Sequence, residues 1–119
     1  MQVNMKIFNE RNEKLIASKV MMANNPWSRL KGLLFTKELP EGEGMLLTPC
    51  NSVHTIGMTY AIDIIFLDKK NKVRKIIENM KPNCLSPIDL RSFSVLELPA
   101  NHIKKTDVQI GDQLRLNKS

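Results

Sequence analysis

The run Ile62-Asp63-Ile64-Ile65-Phe66-Leu67 constrains the fold more than any other part of this sequence. It is short, rich in β-branched and aromatic residues, and bounded by turn formers, so it reads as a strand. Side chains alternate across a strand. Ile62, Ile64 and Phe66 therefore share one face, while Ile65 and Leu67 share the other with Asp63. A strand apolar on both faces has to be covered on both, as in a sandwich or beneath a helix. Asp63 then faces burial, and a buried carboxylate needs partners.

The rest of the chain fits around this strand. Leu15–Ala23 reads as an opening strand. Asn24-Asn25-Pro26-Trp27 reads as a helix start, with Asn25 as cap and Pro26 in the first turn. Trp27, Leu30, Leu33 and Leu34 then form one apolar helical face that would pack on a sheet. Gly32 within it points to close backbone approach. Pro40, Gly42 and Gly44 mark the following loop. Asp68–Asn71 turns the chain into Lys72–Ile77 as a hairpin. Phe93–Leu98 is a second central strand, with Phe93, Val95 and Glu97 on one side and Leu96 and Leu98 on the other. Pro99-Ala100 opens at most a short turn of helix, and Gly111-Asp112 is a tight turn into a last strand, Gln113–Leu116. Short strands joined by Pro- and Gly-marked turns describe a mainly β protein, a small sandwich or barrel with one or two short helices.

Composition sets outer bounds. A chain of 119 residues with 42% apolar and 25% charged residues can form a single domain around one core. No stretch approaches the roughly 18 apolar residues that span a bilayer, and the N-terminus lacks a signal-peptide apolar core. A cytoplasmic, monomeric protein without a membrane partner is expected, with Cys50 and Cys84 as free thiols. The net charge of +6 raises the question of nucleic acid. The densest basic run, Lys69-Lys70-Asn71-Lys72-Val73-Arg74-Lys75, sits at a hairpin tip and has no aromatics interleaved for stacking on bases. No specific nucleic-acid partner is expected, and any binding should be weak, sequence-independent and lost with salt.

Several separated segments also carry a family likeness. Gly44-Met45-Leu46-Leu47, Pro49-Cys50, His54-Thr55-Ile56-Gly57-Met58 and Ile62–Asp68, followed by Val95–Ala100 and Ile110-Gly111-Asp112, resemble the signature of domain of unknown function family 192. The resemblance spans roughly Leu15 to Leu116, so residues 14–117 form the family-like core, with the N-terminal residues and extreme C-terminus peripheral. It implies a jelly-roll-like β-sandwich and no defined activity. Family members can carry a leader, and this sequence departs from them there. It also has Asn101 where the family pattern Leu-Pro-Ala-Gly ends in Gly. Asn is the non-Gly residue that best tolerates positive φ, so the turn should survive.

The residues that could carry chemistry are Cys50, His54, Met58, Tyr60, Asp63 and Glu97. Cys50 and His54 lie four residues apart in a segment whose Pro49 and Gly57 argue against a helix. As metal ligands they are two, fewer than a zinc site needs, so no metal or other cofactor is expected. As nucleophile and base they would need Asp63 or Glu97 to orient the imidazole. Asp63 and Glu97 are each the only charge on their strand, with backbone amides, His54, Arg29 and Lys31 as available partners. Asp68 and Asp112 are turn formers. Two function classes follow. The favoured one is a non-enzymatic binding or accessory domain with a cleft lined by His54, Met58, Tyr60 and Glu97, for a small molecule or protein partner. The alternative is a hydrolase or metal-assisted enzyme using His54, Asp63 and Cys50.

Overall fold

The computed structural model describes residues 4–23 and 39–118. In it the strands are β1 (Met5–Asn9), β2 (Leu15–Ala23), β3 (Glu43–Leu47), β4 (Ile62–Leu67), β5 (Val73–Met80), β6 (Ser94–Pro99) and β7 (Leu114–Lys118), with a short helix α1 (His102–Thr106). The helix expected from Pro26 lies outside the described residues. The strands form one sheet in the order β5-β4-β6-β3-β2-β1-β7. Its pairs are antiparallel except β2 with β3.

The two-faced strand at the centre behaves as its sequence requires. Every residue of β4 is buried, and β6 is buried up to Leu98. On one side Ile65 and Leu67 join Leu96, Leu98, Val20, Ile7 and Leu114 in a cluster to which all seven strands and Ile103 of α1 contribute. A cluster fed by every strand of a single sheet lies inside its curl. On the other side Ile62, Ile64, Phe66 and Val95 join Met45, Leu47 and Met80, covered by Val53 and Met58 from the segment between β3 and β4.

The sheet curls until its two edges meet at one end. Val73 N donates to Asp112 O at 2.8 Å, Gly111 N to Val73 O at 2.8 Å, and Leu114 N to Asn71 O at 3.0 Å. Lys72 and Gln113 form an isolated antiparallel bridge there. The result is a mainly β half-barrel. Closing an edge in this way satisfies amides that an open sheet would leave exposed to pairing with other chains.

The N-terminus corrects the sequence reading. Residues expected to be peripheral form β1, which sits between β2 and β7 with Met5, Ile7 and Asn9 buried. The cause is downstream. Asn9 Nδ2 donates to Asp112 Oδ2 at 2.7 Å, Arg11 Nε to Asp112 Oδ1 at 2.7 Å, and Gln109 N to Asp112 Oδ2 at 2.8 Å. Asp112 is therefore more than a turn former: it ties the first strand to the last.

Gly44 is a second correction. Gly42, at φ 84°, does turn the chain, but Gly44 lies inside β3. A Cβ there would stand 3.0 Å from the Glu97 carbonyl oxygen and 3.1 Å from Leu98 Cδ2. Gly44 thus lets β3 approach β6 closely. Gly44→Ala is expected to cost about 1–3 kcal/mol in urea unfolding. An unchanged midpoint would show that β6 gives way freely.

Asp112 also sets an acid limit on stability. Burial alone would raise its pKa, but the bonds from Arg11, Gln109 N and Asn9 together hold it below the usual carboxylate range. A carboxyl held low in the folded state contributes stability that is full above its unfolded value and is lost as pH falls toward the folded one. Melting temperature should therefore drop steeply below about pH 4.5, and Asp112→Asn should lower it at neutral pH while flattening that drop. A variant profile parallel to wild type would place the acid sensitivity elsewhere.

Candidate functional site

Pairing register decides which of the six candidate residues can meet. Ile64 stands opposite Glu97 and Asp63 opposite Leu98. Directly paired residues share a face. Glu97, which also pairs with Met45, therefore lies on the face of Ile64, Val95 and Met45. Asp63 lies on the opposite face, with Ile65 and Leu67 inside the curl. Both carboxylates are fully buried, but the sheet separates them.

Asp63 has a definite task. Its Oδ1 accepts from Asn79 N at 2.8 Å and its Oδ2 from Ile103 N at 2.8 Å. Asn79, at φ 52°, lies where the pairing of β4 with β5 shifts register between Ile62 and Ile64. Ile103 lies in the first turn of α1. The cap position, Asn101, takes φ 68° as the sequence predicted and makes no side-chain bond to the helix amides. Asp63 thus supplies from a neighbouring strand the acceptor that a capping side chain would give, and it fixes the irregular end of β5 to the start of α1.

Cys50, Met58 and Tyr60 gather on the Glu97 face. Met58 is 5% exposed within the outer cluster, and Cys50 and Tyr60 pack half-buried against it, as do Leu39 and Cys84. With Met45 and Met80, five sulfur-bearing side chains border this cluster. Cys50 Sγ donates to Ser52 O at 3.0 Å. Thr55, buried at the rim, accepts from Cys84 N at 2.9 Å and holds the 48–60 segment against residues 81–84. His54 is exposed and bridges to Leu85 in this rim rather than joining the interior. Arg29 and Lys31, considered as carboxylate partners, lie outside the described residues.

His102, in the first turn of α1, is buried with Nε2 2.5 Å from Ile16 O. Among the described residues, no group of three or more His, Cys, Asp or Glu side chains could hold a metal ion. Nor is any described helix long and apolar enough to cross a membrane.

The position of Asp63 makes a sharp comparison possible. Asp63→Ala would leave the amides of Asn79 and Ile103 without their acceptor, at about 2–4 kcal/mol. Asp107 pairs with Arg11 at the surface, its side chain 53% exposed, and Asp107→Ala should cost only a small fraction of that, because water screens an exposed pair. Chemical unfolding of the two variants measures this difference directly. An Asp63→Ala protein as stable as wild type would reverse the structural assignment and return Asp63 to the functional candidates.

Two solved structures share the fold. A Novosphingobium aromaticivorans DSM 12444 protein of unknown function superposes with a TM-score of 0.78 at 22% identity, covering 96% of this chain and 84% of its own. A Sinorhizobium meliloti 1021 protein, provisionally named a transcription regulator, superposes with a TM-score of 0.78 at 24% identity, covering 98% of this chain and 94% of its own. No curated protein matches the sequence. Residues 7–116 match the model of family 192, described as Uncharacterized ACR. With the match running from β1 to β7, the chain belongs to domain of unknown function family 192.

Proposed function

We propose that the protein is a small ligand-binding or accessory domain whose site is the Glu97 face of the sheet, with Cys50, Met58 and Tyr60 around it. The observation that carries this reading is the grouping itself. Three candidate side chains from one connecting segment pack on the face that holds a fully buried carboxylate. Methionine-rich surfaces repack readily around varied apolar groups, and a buried carboxylate adds a fixed polar point. In this reading the curled sheet serves as a jelly-roll-like scaffold, and the 48–60 segment is the adaptable wall.

The catalytic alternative finds less support. His54 would need Asp63 or Glu97 to orient it, yet Asp63 lies across the sheet and is engaged by two backbone amides, and His54 is exposed at the rim whereas Glu97 is fully buried. The Cys50 thiol donates to the Ser52 carbonyl, a bond that favours the thiol over the thiolate.

Nuclear magnetic resonance of the Met58 methyl and the Tyr60 ring tests the proposal, using a panel of cationic, neutral and anionic small fragments as probes. At least one fragment class should shift both signals in a saturable way, and Tyr60→Ala should abolish the effect without unfolding the protein. Fragments that leave both signals unmoved would overturn the reading. Native labelling of Cys50 by a disulfide reagent should be slow. Rapid labelling at neutral pH would mean an activated thiolate and would favour the enzyme.

A further inference from the structure

The lysines of the β4–β5 turn have no aromatic side chain among them in sequence. The fold supplies one from elsewhere in the chain. Phe93 lies just before β6, and its ring sits beneath Lys69, with Nζ 5.7 Å from the ring centroid. It is 40% exposed, and Leu90 beside it is 85% exposed. These two side chains, with Lys69, Lys70, Lys72 and Arg91, line an open groove of about 740 Å³.

The charge in the groove is one-sided. Four cations face one carboxylate, Asp68, whose Oδ1 accepts from Lys70 N at 2.8 Å and Lys72 N at 3.0 Å. Asp89, just before Leu90 and Arg91, is bound to Arg74 at 2.8 Å and to the Ser92 hydroxyl at 2.7 Å. Asp89 is thus matched by a cation of its own, and Asp68 is the single carboxylate set against four cations in the groove lining.

We propose that this groove binds single-stranded nucleic acid without regard to sequence, with phosphates along Lys69, Lys70, Lys72 and Arg91 and a base against Phe93 and Leu90. Cationic grooves with an aromatic platform take single strands because every base has a π-face and every nucleotide a phosphate. A duplex hides its base faces and would meet only the lysines. A lipid surface calls for a protruding apolar tip rather than a concave cationic one. The groove adjoins the Glu97 face through Phe93, whose carbonyl oxygen accepts from Cys50 N at 2.8 Å. It shares no lining residue with Cys50, Met58, Tyr60 and Glu97, so Tyr60→Ala and Phe93→Leu test the two assignments apart.

Fluorescence anisotropy with a labelled oligothymidylate of about twelve nucleotides, at low salt, tests the proposal. Binding in the micromolar range is expected, falling as salt rises. Phe93→Leu should weaken it at least about fivefold, the lower end of one lost stacking contact. The exposed triple variant Lys69→Gln/Lys70→Gln/Arg91→Gln should reduce the slope of log K against log salt by about 2. Melting curves confirm that each variant is folded. Absence of binding at low salt, or binding untouched by the triple variant, would overturn the proposal. Equal affinity for duplex DNA with no effect of Phe93→Leu would reduce it to bulk charge attraction, and stronger binding to phosphatidylserine vesicles would assign the patch to membranes. Either result would also overturn it.

Discussion

The central pair of strands has no solvent face, and the rest of the molecule follows from that constraint. β4 and β6 bury side chains on both sides, so a flat open sheet would leave one apolar layer in water. The chain answers differently on each side. Inside, the sheet curls and all seven strands converge on one cluster. Outside, the segment between β3 and β4 lays Val53, Met58 and Tyr60 over Ile62, Ile64 and Phe66. The first solution yields a uniform aliphatic core. The second yields a border of Met, Cys and Tyr, which packs less uniquely and leaves room for variation.

Polar groups within this arrangement divide by what they bind. Asp63 and Asp112 each collect amides or side chains from elements distant in sequence. Asp63 joins β4 to the end of β5 and to α1; Asp112 joins the β7 turn to the loop after β1. These bonds fix which strand ends meet, a specificity that apolar burial alone supplies poorly. Glu97 occupies the same central strand pair but faces the adaptable cluster, so its surroundings differ from those of Asp63 although the two lie one register step apart.

Much of the sheet was legible in the sequence because its strong patterns are local. The limits of β4 and β2 match the reading, and the split of Ile62, Ile64 and Phe66 from Asp63, Ile65 and Leu67 is the split between the two clusters. The positive φ at Asn101 followed from residue chemistry. What escaped depended on distant partners. β1 is five residues long and its alternation is weak, and its anchor, Asp112, lies 103 residues from Asn9. Gly44 looked like a loop residue because its reason is a neighbouring strand's carbonyl. Of the site residues, Cys50, Met58 and Tyr60 meet at one cluster while His54, expected to line a cleft with Met58, Tyr60 and Glu97, stays exposed at the rim. The exclusion of Asp63 depended on the register of β4 against β6. One residue of slip would have exchanged the faces.

The same dependence on distant partners shapes the basic turn. Its backbone is held twice: Asn71 O accepts from Leu114 N and Lys70 O from Gln113 Nε2 across the closure, while Lys72 O accepts from Asp68 N within the turn. The turn is therefore held from both sheet edges, while the side chains of Lys69, Lys70 and Lys72 project from it. A turn fixed in this way does not need to be ordered when a ligand arrives, so contacts made there keep more of their free energy. Sequence alone shows a solvated tip at this place. Closure turns that tip into a rigid rim and the pairing of β6 with β4 brings Phe93 to its side, which is why the positive charge of this protein has to be judged by where the fold places it and not by its total.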